Sequence, residues 1–147
     1  MRLLLRLVFA VYLVAVGFLV WSPAPDAVQV TGIIAVVARW LGTFGLPFEP
    51  TWVVLEFLAN IALVVPFGVL ALIAYRWMRV WSATIAGLVT SGIIEGVQLF
   101  LPTRFSTVSD LVANTSGALI GALLVGNARR IRERRAAELS AAASRPS

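Results

Sequence analysis

Residues 52–75, WVVLEFLANIALVVPFGVLALIAY, hold a single charge, Glu56, and a single amide, Asn60, in an otherwise apolar run. At about 1.5 Å per residue, a helix of this length crosses a ~30 Å hydrocarbon core. Within lipid, backbone N–H and C=O groups must be satisfied inside the segment, so the run is read as a transmembrane helix and the fold class as all-α. Glu56 and Asn60 are spaced i, i+4 and share one helix face. Pro66 removes a backbone donor, with Gly68 two residues on. A kink is expected there, leaving a carbonyl in need of a partner.

Three further apolar runs flank this one: Leu3 to Trp21, Val80 to Leu101 and Val108 to Val125. Together they predict a helical transmembrane bundle of four spans. The first run also resembles a signal peptide, but Pro23 and Pro25 crowd the positions where cleavage would fall, so it is read as a span. Between spans one and two, Val28 to Leu41 is apolar but interrupted by Gln29, Thr31 and Arg39. A short interfacial or re-entrant helix is expected over this region, with Trp40 at headgroup depth. If residues 28–46 crossed instead, the first span would flip and the other three would keep their orientation.

The chain has 147 residues, is 60% hydrophobic and 13% charged, and contains neither Cys nor His. Disulfides, thiolate nucleophiles, imidazole bases and the usual zinc ligands are excluded. No cofactor or metal is expected. The organisation is one membrane domain, residues 1–126, and an Arg-rich tail, residues 127–147. Arg76 and Arg79 lie between the second and third spans, and Arg129, Arg130, Arg132, Arg134, Arg135 and Arg145 follow the fourth. By the positive-inside rule both termini are cytoplasmic, at the cell membrane. Attraction of the tail to anionic lipid, about 1 kcal/mol per Arg, explains it without nucleic acid. The Ala/Ser-rich end, Ser140 to Ser147, is expected to fray.

In this topology the polar residues gather at one level. Glu56 and Asn60 open the second span, Glu95 and Gln98 (i, i+3) close the third, and Asp110 and Asn114 (i, i+4) open the fourth. All would lie toward the outer side, with Arg104 in the connecting loop the only nearby cation. Small residues continue these faces: Gly117 and Gly121 below Asn114, Gly87 and Ser91 below Glu95. Such faces pack against one another and not against lipid. Amides at helix interfaces are often plain glue, averaging about 0.6 kcal/mol per bond. A carboxylate near a helix centre costs roughly 2.5–3.5 kcal/mol, which points to function for at least one of Glu56, Glu95 and Asp110. Asp110 also suits a helix start through the dipole, and Arg104 suits either a bridge to Asp110 or Glu95 or an anionic ligand.

With these residues in order, the stretch from Asn60 to Gly121 resembles the VanZ-like family of small bacterial membrane proteins. The resemblance is carried by Asn60, Pro66, Phe67 and Gly68, then Glu95, Gln98, Pro102 and Arg104, then Asp110, Asn114, Gly117 and Gly121. It implies a cell-envelope membrane protein, the founding member being linked to low-level resistance to the glycopeptide teicoplanin. No family role is carried onto Glu56. The expected function is binding of a lipid, a lipid-linked wall precursor or a lipophilic glycopeptide by Glu56, Asn60, Glu95, Gln98, Arg104, Asp110 and Asn114. Two alternatives stand beside it. One is an enzyme on a lipid-linked substrate with Glu95 or Asp110 as general acid or base. The other is a small transporter or transporter subunit, which would need an oligomer; the oligomeric state is left open.

Overall fold

In the computed structural model, which describes residues 2–21, 24–98 and 108–143, the chain is all-helical. Five helices follow in order: α1 (Arg2–Trp21), α2 (Ala24–Gly42), α3 (Phe48–Ala74), α4 (Val80–Gln98) and α5 (Val108–Ala143). Four of them, α1, α3, α4 and α5, are long and apolar enough to cross a membrane. The apolar part of α2, Gly32–Gly42, is short. It packs on α3 through Ala35 and Ala38, both buried, and leaves Trp40 exposed.

Small residues build the centre. The core is Phe9, Phe67, Ala71, Leu72, Ala83, Ala118 and Ala122. Alanines predominate because the backbones of α3 and α5 run close together. A Cβ on Gly117 would collide with the Ile61 carbonyl, one on Gly121 with the Val65 carbonyl, and one on Gly68 with the Ala118 carbonyl. Lacking side chains there, the two helices gain dispersion contact that apolar solvation cannot supply in lipid. The contacts advance together along both chains, so α3 and α5 are parallel. α4 lies antiparallel beside α5: a Cβ on Gly87 would meet the Ala118 Cβ, and Gly126 faces Val80.

At the end of the bundle where α3 stops, Arg129 of α5 donates from Nη2 to the Leu72 carbonyl and from Nη1, at 3.5 Å each, to the Arg76 and Met78 carbonyls. These carbonyls belong to the last turn of α3 and the link to α4, groups that lack intrahelical donors. A guanidinium at a helix C-terminus also meets the negative end of the dipole. Arg129 is therefore a structural cap and not simply a member of the basic tail. Nearby, the Arg6 guanidinium stacks over the Tyr75 ring at 5.2 Å. Arg6, Arg129 and the Arg76–Arg79 link thus share one end of the molecule.

The expected fraying of the chain from Ser140 is corrected, since α5 continues unbroken to Ala143. The segment after Gly126 contains no proline, is rich in Ala, Arg and Glu, and places Glu133 and Glu138 four residues from Arg129 and Arg134. These are strong helix formers with supporting i, i+4 charges. Helix α3 likewise runs continuously through Pro66.

Candidate functional site

Asn60, six residues before Pro66 in α3, donates from Nδ2 to Asp110 Oδ1 at 2.7 Å. This bond joins α3 to the first turn of α5. One turn further along α5, Asn114 donates from Nδ2 to Ser91 Oγ of α4 at 3.1 Å. The pairs Ser91–Asn114, Gly87–Ala118 and Val80–Gly126 fix the antiparallel register of α4 on α5. The next turn of α4, with Glu95, is therefore level with Asp110. Glu95 and Gln98 are each only 8% exposed. A carboxyl and an amide at that burial face the bundle and not lipid.

Three helices thus converge with Asn60, Glu95, Gln98, Asp110 and Asn114 at the end of the bundle opposite Arg129. The loops and helix starts explain the convergence. α5 carries Asp110 in its first turn and Asn114 in the next, and these meet α3 and α4. The positive end of the α5 dipole favours Asp110 there. Hydroxyls elsewhere in the spans are absorbed locally: Thr84 donates to the Val80 carbonyl and Thr115 to the Leu111 carbonyl, each within its own helix. The amide and carboxyl side chains instead reach across helices, a use that distinguishes them from ordinary polar residues of a span.

Glu56 stands apart. Although i, i+4 from Asn60, it is exposed. The arrangement joins five of the seven sequence-predicted residues and leaves Glu56 at the margin; Arg104 lies outside the described residues. Among the described residues, no group of His, Cys, Asp and Glu is arranged to hold a metal ion.

Tyr12 of α1 is a residue that the sequence reading passed over. Its hydroxyl donates to the Leu63 carbonyl at 2.7 Å. Pro66 leaves the Ala62 carbonyl without its intrahelical N–H partner, and Tyr12 bonds the carbonyl next to it in the chain, tying α1 to α3 beside the proline. A lone phenol in α1 was the available signal, since a buried Tyr O–H needs a partner just as an amide does.

Beside Tyr12 runs a narrow crevice of about 30 Å³, lined by Leu13, Val16, Val64, Phe67 and Ile94 and reaching Ser91 and Asn114. It separates α1 from α3, α4 and α5, and it ends on the polar cluster.

Comparison with known proteins gives one positive result. The family model described as VanZ/LLP1 matches residues 9–129, which include α1 from Phe9 onward, the whole polar cluster and Arg129. No curated protein and no solved structure matches the chain.

Proposed function

The chain belongs to the VanZ/LLP1 family of membrane proteins, and from that premise we propose that its polar cluster binds the headgroup of an amphiphile at the outer face of the cell membrane. The observation that carries this reading is the interhelical bond from Asn60 to Asp110, level with buried Glu95 and one turn from the Asn114–Ser91 bond. Carboxyl groups suit the hydroxyls and amines of a sugar, peptide or glycerol headgroup, and the surrounding apolar spans suit its chain. The Arg distribution supports the orientation: Arg6, Arg76, Arg79 and Arg129 cluster at the opposite end, which the positive-inside rule assigns to the cytoplasm. An outward site places the ligand among envelope lipids, lipid-linked wall precursors and lipophilic glycopeptides, with resistance to a teicoplanin-type compound as one physiological consequence.

Arg104 supplies the cation for an anionic headgroup in this reading, and Glu56 guards the rim. Beyond the cap, exposed Arg130, Arg132, Arg134 and Arg135 attract anionic lipid at the cytoplasmic face. The test is binding by the full chain in nanodiscs to phosphatidylglycerol, a polyprenyl-pyrophosphate wall precursor and teicoplanin. Asp110→Asn and Glu95→Gln are expected to weaken one of these about tenfold, the loss of one well-placed hydrogen bond to a charged group. Equal binding by the unmodified chain and both variants, for all three compounds, would exclude the cluster as the site.

A further inference from the structure

The crevice beside Tyr12 differs from the polar cluster in chemistry but is continuous with it. Ser91 and Asn114 form its inner end, and their polar groups bond one another. Its side walls, Leu13 and Val16 on α1, Val64 and Phe67 on α3, and Ile94 on α4, are hydrocarbon, with Thr90 of α4 adding one hydroxyl. A water molecule needs two to four polar partners, and an apolar cavity without them stays dry. The crevice is only wide enough for a methylene-sized group, far too narrow for a sugar or peptide.

We propose that this crevice holds one hydrocarbon chain of the same amphiphile whose headgroup sits in the polar cluster. The inference rests on that headgroup reading and adds the ligand's other half: a lipid with a slender acyl or isoprenoid chain that descends between α1 and α4 past Tyr12. Two features of the molecule favour a chain there. α1 meets α3 through rings and one phenol, Phe9 against Phe67 and Tyr75 and Tyr12 on the Leu63 carbonyl. Side chains can adjust around a flexible chain where interlocked backbones cannot. The outer face of α1 is also exposed along Leu4, Leu7, Val11, Val14 and Phe18, so this wall of the crevice already stands in lipid. The chain enters sideways from the bilayer while the headgroup stays at the surface.

Photo-crosslinking on the full chain in nanodiscs tests this with two probes, a phosphatidylglycerol and a polyprenyl phosphate. Each is made in two forms, with a diazirine in the chain or at the headgroup. At least one chain-labelled probe is expected to mark Val16, Val64 or Ile94, and the one that does so tells an acyl from an isoprenoid chain. Val16→Trp and Thr90→Phe, which fill the crevice from different helices, should each lower that labelling by about tenfold, equivalent to the lost burial of a few methylenes. Thermal melting of both variants shows which are folded, and either one suffices.

Labelling confined to lipid-facing Val89 and Ile93, and unaffected by a folded filling variant, overturns the chain site. If the headgroup-labelled probe then still marks the cluster and loses that mark in Asp110→Asn, the headgroup reading survives alone. A headgroup probe indifferent to Asp110→Asn removes the headgroup reading, and the inference built on it goes with it.

Discussion

Helices α5 and α1 both pack on α3, and they do so by opposite means. Against α5, α3 presents backbone: Gly117 and Gly121 sit on the Ile61 and Val65 carbonyls, and Gly68 sits under Ala118. The pair is also pinned at both ends, by Asn60–Asp110 at one and Arg129–Leu72 at the other. Against α1, the contacts run through α1's side chains, with Phe9 edge-on to Phe67 at 5.4 Å and the Tyr12 hydroxyl on the Leu63 carbonyl. In lipid, where apolar solvation does not drive helices together, backbone proximity is the stronger device. The first interface is a fixed frame for the polar cluster, and the second is a wall that can give.

The largest test of this contrast lies on the glycine contact. Gly121→Leu should destabilise the protein by about 3 kcal/mol or prevent its accumulation, because the new side chain has only backbone to displace. Gly92 on the outer face of α4 has open space around it. Gly92→Leu should therefore leave thermal melting in detergent unchanged or slightly raised. Equal damage from both substitutions would mean that α3 and α5 are not in close contact.

Next in size is the far pin. Arg129→Ala leaves the Leu72, Arg76 and Met78 carbonyls without the guanidinium, and hydrogen bonds to a charged donor contribute about 1.5–3 kcal/mol. A loss of roughly that size is expected in melting experiments, against no measurable change for Arg134→Ala, which is exposed. Should the two variants melt alike, Arg129 belongs with the lipid-attracting arginines and not with the cap.

Much of the frame was legible because it follows from local spacing. Gly117 and Gly121 fall one turn apart below Asn114, and that alone marks a close-packing face. Asn60 and Asp110 were brought to one level by counting turns from the starts of their two spans, and the 2.7 Å bond between them agrees with that count. What could not be read depends on distant chain segments. Arg129 is one of six Arg residues after the last span, and nothing nearby in sequence distinguishes it; only the end of α3, more than fifty residues away, does. Glu56 shares a face with Asn60 by spacing, yet it is exposed while Asn60 bonds α5, a difference that lies in the distant helix and not in the local sequence. Tyr12 lies in a span with no other polar residue after Arg6 until its end, so its role depends on the proline in α3 that it meets.

The near pin can be measured as a coupling. A double-mutant cycle of Asn60→Ala and Asp110→Ala should give an interaction of about 0.6 kcal/mol and at most near 1.7, the range for hydrogen bonds between transmembrane helices. A coupling near zero would make the bond incidental, and the cluster would then owe its geometry to the glycine contact alone. A larger one would show that Asp110 is held for structure, leaving Glu95 as the acid more available to a ligand.

The smallest expected effect is the most informative about the wall. Tyr12→Phe removes one hydroxyl and keeps the ring, so the stacking on Phe9 at 6.5 Å persists. The loss should be about 0.6 kcal/mol, within the range of a single interhelical bond in lipid. If α1 is held mainly by its rings, this variant melts almost as the unmodified protein does, while crosslinks between cysteines placed at Val16 and Ile94 form more slowly as α1 moves outward. If instead the phenol is indispensable to α3 beside Pro66, the loss of its bond to the Leu63 carbonyl would propagate along α3 and approach the damage caused by Gly121→Leu. The ratio of those two losses therefore measures how far α1 can part from the frame without disturbing it, which is the freedom a chain entering beside Tyr12 requires.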